Sequence, residues 1–380
     1  MKTTRKFTFT KPMKSLTIAM LMLMMAGTTF AQTLKETLGK DLLIGTALTE
    51  GQITGRDSKG QALVLEQFNC VVAENCMKPE VVHPRPGVWN FELADKLIDL
   101  AQKNNITVNA HVLVWHSQTP DWYFYKDKEK KQLKSRKEML KFMKEHIFTV
   151  ARHFKGKVVG WDVVNEAFED NGTLRNSLWR QTVGDDYIEK AFEYAHKADP
   201  DAQLYYNDYS MSKPAKVKGV CEYVRNMQKK GIRIDAIGMQ SHNGVDYPNL
   251  DDYDRAISQY AGLGLKVMFT ETDLNMLPSP KGFNGADISQ SFELQEKYNP
   301  YRNGLTPEGE KIFEERYLAF FNIYKKHKKD ISRITLWGVT DGDSWLNDWP
   351  VKGRTNYPLL FDRNHQPKPV VKKIIELWKN

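Results

Sequence analysis

Val158-Val-Gly-Trp-Asp-Val-Val-Asn-Glu166 is an apolar run of strand length that closes on an asparagine and a glutamate. Runs this short, rich in β-branched residues and bounded by polar ones, read as buried strands and not as helices. A second run of the same form, Lys266-Val-Met-Phe-Thr-Glu271, also ends in a glutamate.

Six more segments of this kind complete a series along the chain: Leu42 to Thr46, Gln67 to Val72, Ile106 to Val112, Gln203 to Tyr206, Ala236 to Gln240, and Ile334 to Trp337. The stretches between them carry a helical period. It is clearest in Arg136-Lys-Glu-Met-Leu-Lys-Phe-Met, in Tyr187-Ile-Glu-Lys-Ala-Phe-Glu-Tyr-Ala, and in Glu310-Lys-Ile-Phe-Glu-Glu-Arg-Tyr-Leu. Eight strands alternating with helices, and a closing helix over Val370 to Trp378, predict an α/β fold of the (β/α)8 TIM-barrel type. An open doubly wound sheet is the alternative, but no Gly-rich phosphate turn follows the first strand. One interval breaks the rhythm: residues 272–306, rich in Pro, Gly, Asn and Ser, part the seventh strand from its helix. A loop of that length on the rim where barrel sites lie is expected to wall or cover a cleft.

Residues 1–31 read as a signal peptide: Lys2, Arg5, Lys6, Lys11 and Lys14 precede an apolar run from Leu16 to Ala26 and a Thr29-Phe-Ala-Gln step suited to cleavage after Ala31. The run is shorter than the roughly 20 residues a membrane helix needs, and no later stretch could span a bilayer. The chain is expected to be exported, to the periplasm or the medium. Its formal charge of +8 falls to +3 once the five cations of the leader are set aside, and the remaining lysines are spread along polar stretches. Nucleic acid is therefore not an expected partner. Cys70, Cys76 and Cys221 are odd in number, form no CxxC pair and stand beside no His at metal spacing, so neither a disulfide framework nor a metal is expected. Cys70 and Cys76 could pair or stay as small buried apolar residues; a chain of this size has core enough without a staple, so unpaired cysteines are the preferred reading. Residues 32–380 suit one catalytic barrel of the common ~250 residues with enlarged loops on its C-terminal face. Nothing in the chain suggests an obligate partner, so a monomer is expected.

Polar residues at the C-terminal ends of barrel strands converge on one rim. Glu271 and Asp273 share a strand face at i and i+2, as do Gln240 and His242 on the strand before. Asn165-Glu166 ends the fourth strand. Two carboxylates presented by strand ends are what acid-assisted cleavage of a glycosidic bond requires, one to protonate the leaving oxygen and one to attack or to activate water. The amide of Asn165 beside the acid could hold a sugar hydroxyl. Trp115, Trp337 and Trp345 are candidate aromatic plates for sugar faces, and Glu74, Asn75, Lys78, His111 and Gln118 are candidate partners for hydroxyl edges.

Seven ordered motifs carry a resemblance that spans nearly all of the chain after the leader. They are Glu74-Asn-x-x-Lys78, His111-x-x-x-Trp-His-x-Gln118, Asn165-Glu166, Tyr206-Asn-Asp-Tyr209, Gln240-Ser-His242, Thr270-Glu-Thr-Asp273 and Trp337-Gly-x-x-Asp341-x-x-Ser-Trp345. Together they resemble the family 10 glycoside hydrolases, chiefly endo-1,4-β-xylanases. The resemblance implies a retaining double displacement on xylan and xylo-oligosaccharides with no cofactor, Glu166 as general acid/base and Glu271 as nucleophile. It implies that His242 bonds Glu271 and is oriented by Asp273, and that Asn165 contacts the sugar 2-hydroxyl. Glu74, Asn75, Lys78, His111, Trp115, Gln118, Trp337 and Trp345 would line the glycone side, with Tyr209 and Gln240 near the cleavage point. Two departures concern substrate detail: Thr272 stands where the family usually has an aliphatic residue, and the 272–306 loop is longer than usual.

Retention needs carboxyl groups only ~5 to 5.5 Å apart, so the ionised one pushes its neighbour toward protonation. Glu271 is expected to ionise and Glu166 to keep its proton. A β-1,4-glucanase is the runner-up activity, since one hydroxymethyl group changes the fit by little. A polysaccharide-binding protein on a retired barrel is the non-enzymatic alternative.

Overall fold

A computed structural model describes residue 1, residues 32–283, residue 286 and residues 288–379. The expected signal peptide lies, apart from Met1, outside the described residues. The fold is that of the unit from Thr33 onward.

Nine strands occur among the described residues: β1 (Leu43–Leu48), β2 (Cys70–Ala73), β3 (Thr107–Val114), β4 (Gly160–Asn165), β5 (Gln203–Asp208), β6 (Ala236–Met239), β7 (His242–Gly244), β8 (Lys266–Asn275) and β9 (Ile331–Leu336). All pair in parallel. β1 joins β9 and β6 joins β8, which closes an eight-stranded barrel and leaves β7 as a short addition at the rim. This is the predicted (β/α)8 TIM barrel.

The strands are buried on both faces, as parallel strands under a layer of helices must be. One face feeds the main core, where Trp161 and Val163 of β4 meet the helices. The other fills the barrel, with Tyr205, Ala236 and Met268 in one layer and Ala47, Val72 and Trp337 nearer the mouth. Each large side chain so withdrawn from water contributes about 1.5–3 kcal/mol.

The helices follow from spacing and caps. Arg136–His153 starts on a capping box in which Ser135 and Glu138 bond each other's backbone N–H, and it buries Met139, Met143, His146, Ile147 and Val150 along one stripe. Pro307–Lys326 starts on Thr306, whose hydroxyl accepts from Gly309 N–H. The closing helix runs Pro369–Lys379.

Strand bounds shift by a few residues, and three differences have identifiable reasons. Gln240 and His242 do not share one strand, because β6 ends at Met239 and Ser241, with φ of 64°, turns the chain into β7 at His242. Gln67 ends a helix, Ser58–Gln67, that Asp57 caps, so β2 begins only at Cys70. β8 does not stop at Glu271, where the quoted run closes, but continues as far as Asn275, because β7 supplies a partner for this end. The expected long loop therefore begins at Met276, holds among its described residues one short 3-10 turn at Glu296–Tyr298, and ends at Thr306.

Register shifts sit where the rim needs them. β4 slips against β5 between Asp162 and Val164, and β8 slips against β9 between Phe269 and Thr272. Bulges re-aim the side chains that follow. Both glutamates that end the two quoted runs lie beside such a shift.

Candidate active site

Glu166 is the first residue past β4, and its backbone takes the left-handed conformation, with φ of 56°. That turn carries its side chain back into the barrel mouth, where it is only 7% exposed. Its Oε2 accepts from the indole Nε1 of Trp115 at 2.7 Å and its Oε1 accepts from Gln240 Nε2 at 2.9 Å.

Glu271 projects from β8 to the same rim and is 6% exposed. Its Oε1 accepts from Asn207 Nδ2 at 2.9 Å, and its Oε2 lies 3.3 Å from His242 Nε2. The other ring nitrogen of His242 lies 3.0 Å from Asp273 Oδ2, which also accepts from Trp345 Nε1 at 2.8 Å. Thr270 Oγ1 donates to Asn207 Oδ1 at 2.6 Å and so turns that amide toward Glu271.

Asn165 joins the two halves. With its oxygen accepting from Trp115 Nε1 at 3.2 Å, its nitrogen donates to the Asn207 carbonyl at 3.0 Å. Turned the other way, its oxygen accepts from Asn207 Nδ2 at 3.0 Å and from Gln240 Nε2 at 3.3 Å. In either orientation one hydrogen-bonded net spans both carboxyl groups.

The electrostatics push the two glutamates apart. Burial raises the pKa of Glu166 to about 7, helped by the negative charges of Asp208 and Glu271 and only partly offset by the Gln240 and Trp115 hydrogen bonds. Burial pushes Glu271 upward too, but the hydrogen bond and charge of His242, with help from His111 and Asn207, outweigh it and leave Glu271 below the usual carboxylate range. Burial disfavours the charged form of His242, yet the charges and hydrogen bonds of Asp273 and Glu271 prevail and lift it to about 10. At neutral pH an imidazolium thus stands between two carboxylates. Below about neutral pH one glutamate keeps its proton while the other does not.

The two glutamates line a cavity of about 160 Å³. Asn165, Gln240 and His242 line it with them, as do Glu74, Asn75, Lys78 and Gln118. Lys78 Nζ donates to Asn75 Oδ1 at 2.8 Å and to Gln118 Oε1 at 2.6 Å, so these polar tips are already ordered. His111, paired with Asp162 at 2.9 Å, lines the same cavity with Trp337 and Trp345. Trp115 lines it too, but is 5% exposed and spends its N–H on Glu166. It is a hydrogen-bond donor more than an open plate. Asp273 sits behind His242, outside the cavity wall.

A larger cavity of about 490 Å³ adjoins the first, sharing His242 and Ala286 as walls. Tyr209 belongs to this second space, and its hydroxyl accepts from Arg175 Nη2 at 2.5 Å. Phe283, from the long loop after β8, lines it and packs on Trp349 with ring centroids 5.2 Å apart. Trp349 stacks in turn on Trp345 at 4.3 Å.

Sequence reasoning did not single out Asn207, Asp208, Arg175, Thr270 or Ile288. Asn207 and Asp208 stood inside a quoted motif, and their place at the end of a strand was a usable signal. Arg175 and Ile288 lie in loops without periodicity and gave none. Among the described residues no group of three or more His, Cys, Asp and Glu side chains is arranged to hold a metal ion, and Cys70, Cys76 and Cys221 are buried and unpaired. Among the described residues no helix is long and apolar enough to cross a membrane.

Residues 33–377 match the model of glycosyl hydrolase family 10. The chain is 52% identical over 347 residues to endo-1,4-beta-xylanase A of Xylanibacter ruminicola, an overlap of 91% of this chain and 94% of that protein. It is 38% identical over 349 residues to an endo-1,4-beta-xylanase of Geobacillus stearothermophilus, covering 90% of this chain and 98% of the relative. Its fold superposes with a TM-score of 0.87 on a GH10 endoxylanase retrieved from sugarcane soil metagenome, at 40% identity over 90% of this chain and 99% of that structure.

Proposed function

The chain belongs to glycosyl hydrolase family 10, and from that premise we infer that it is an endo-1,4-β-xylanase. It hydrolyses internal β-1,4 bonds of xylan by double displacement, through a covalent glycosyl-enzyme intermediate, with retention at the anomeric carbon.

We propose the following assignment of roles. The carboxyl of Glu166 protonates the glycosidic oxygen as the bond from the anomeric carbon breaks, while the carboxylate of Glu271 attacks that carbon and becomes a glycosyl ester. Esterification removes the charge of Glu271, one of the causes that hold the proton on Glu166. Glu166, now a carboxylate, is then the base that takes a proton from water as the water displaces Glu271. His242 and Asn207 hold Glu271 ionised and aimed, Asp273 fixes the ring of His242, and Gln240 and Trp115 fix Glu166. Asn165 meets the 2-hydroxyl of the sugar, where a hydrogen bond that tightens in the transition state adds to catalysis. The smaller cavity receives the glycone and the larger the leaving part of the chain.

The observation that carries this reading is the opposite drive on two carboxyls within one hydrogen-bonded net: burial keeps Glu166 protonated near neutral pH and an imidazolium keeps Glu271 ionised. The test is reducing-sugar release and product analysis on xylan, on defined xylo-oligosaccharides and on carboxymethyl cellulose. Internal cleavage of xylan, lost in a Glu271→Ala variant, is the expected result. Faster cleavage of the cellulose derivative, or saturable binding of xylan without release, would overturn it.

We further propose, from the cation-rich and apolar pattern of residues 1–31, that the enzyme is exported to the periplasm or the medium. It acts there as a monomer on polysaccharide and not on nucleic acid.

A further inference from the structure

Glu166 holds a backbone conformation that a side-chain-bearing residue adopts only at a cost of about 1–2 kcal/mol. Such a conformation persists where the surroundings over-determine it. Here each backbone group around Glu166 has a dedicated partner. Its N–H donates to the Asn207 carbonyl at 2.9 Å, and its own carbonyl accepts from Arg175 Nε at 2.9 Å. The next N–H, of Ala167, donates to the hydroxyl of Tyr206 at 3.0 Å, and that of Phe168 donates to Asp208 Oδ2 at 3.3 Å.

The partners are themselves braced. Tyr206 donates its hydroxyl proton to Asp208, and Asp208 Oδ1 accepts from the fully buried Lys216 Nζ at 2.7 Å and from Tyr209 N–H at 2.8 Å. Lys216 lies 4.3 Å over the ring of Tyr209 and 3.9 Å from Asp170. Arg175, which reaches Tyr209 through its Nη2, also lies 3.8 Å from Glu169 and donates its backbone N–H to the Ala167 carbonyl at 2.8 Å. Tyr206, Asp208 and Arg175 do not line the cavity that holds the two glutamates. Each bonds a backbone group of Glu166, Ala167 or Phe168.

We propose that Tyr206, Asp208 and Arg175 are positioning residues that clamp the backbone around Glu166 and so hold its carboxyl at the glycosidic oxygen. The proposal rests on the reading of Glu166 as the general acid/base. A clamp of this kind matters for both steps in which Glu166 moves a proton, protonation of the leaving oxygen and deprotonation of the attacking water. It should be invisible in the first step alone, when the leaving group departs without a proton.

The test compares xylotriose with a 2,4-dinitrophenyl β-xylobioside, whose leaving group needs no protonation, in the full-length enzyme and in Tyr206→Phe. The variant keeps the ring and loses only the hydroxyl. Expected is a roughly tenfold to hundredfold loss in kcat on xylotriose, as for a misplaced catalytic group, with KM and the pre-steady-state burst of dinitrophenolate close to the parent's. Arg175→Lys should show the same split, and serves if Tyr206→Phe melts too low to assay. Equal losses in turnover of xylotriose and in the burst of dinitrophenolate, or no loss in either, would overturn the clamp. Glu166→Ala is the control. If it slows turnover of xylotriose and the burst of dinitrophenolate alike, the acid/base assignment has failed, and not the clamp built on it.

Discussion

Nε2 of His242 lies 3.3 Å from Oε2 of Glu271, and the opposite ring nitrogen is held by Asp273. A cation in that place favours the ionised form of Glu271. Replacing His242 by Gln removes the charge and keeps a polar side chain of similar reach. The pKa of Glu271 should then rise, and the acidic limb of the kcat/KM profile should move to higher pH by roughly one to three units, the usual effect of an opposite charge at this distance. The basic limb, set by Glu166, should move little. An unshifted acidic limb would mean that His242 does not tune the nucleophile.

Trp115 acts on the other carboxyl. Its N–H stabilises the ionised form of Glu166, so Trp115→Phe should raise the pKa of Glu166 and shift the basic limb to higher pH. Turnover on xylo-oligosaccharides should fall about tenfold, in line with one hydrogen bond to a charged group. A basic limb that moves down would contradict this account.

Gly238 of β6 explains why that strand carries no side chain beside Asn207. A Cβ there would stand 2.5 Å from Asn207 Oδ1 and 3.0 Å from Thr270 Cγ2. Gly238→Ala should push the Asn207 amide away from Glu271, cost about 1–3 kcal/mol of stability by overpacking, and lower kcat more than it raises KM. Thermal melting and steady-state kinetics on xylotetraose check both parts.

His146 is buried in an aromatic cluster, 3.4 Å from His83 across their Nδ1 atoms and 3.2 Å from the Leu113 carbonyl. Burial pushes its pKa down to about 3 and that of His83 to about 4. Both are depressed below the unfolded value, so between about pH 4 and 6.5 the unfolded chain binds protons that the folded one does not. Stability should therefore fall as pH is lowered through that window. A His146→Gln variant, compared with the parent by urea unfolding at pH 7 and pH 4.5, should lose less stability on acidification. An equal loss would place the acid sensitivity elsewhere.

The barrel could be read from the chain because its strands are short apolar runs and its helices carry a clean stripe, as in Met139, Met143, Ile147 and Val150. Glu166 and Glu271 were legible for a related reason, since each ends such a run. What stayed hidden depends on contacts between distant residues. The end of β8 at Leu274 and Asn275 opens a polar stretch that looks like a loop, and it is strand because the three residues of β7 lie beside it. Arg175 carries no periodic signal, yet it reaches back nine positions to the carbonyl of Glu166. Trp115 was visible as an aromatic at the rim, but whether it offers its face or its N–H depends on where Glu166 points. The left-handed turn at Glu166 is invisible in a sequence that places no glycine there.

The central claim is that Glu271 forms a bond to the sugar. Incubation with 2,4-dinitrophenyl 2-deoxy-2-fluoro-β-xylobioside, which forms the glycosyl ester but turns it over slowly, followed by mass spectrometry of the digested protein, tests it directly. The expected result is a single fluoroxylobiosyl adduct on the peptide that contains Glu271. An adduct on Glu166 or elsewhere, or release of dinitrophenolate with no adduct, would contradict the account.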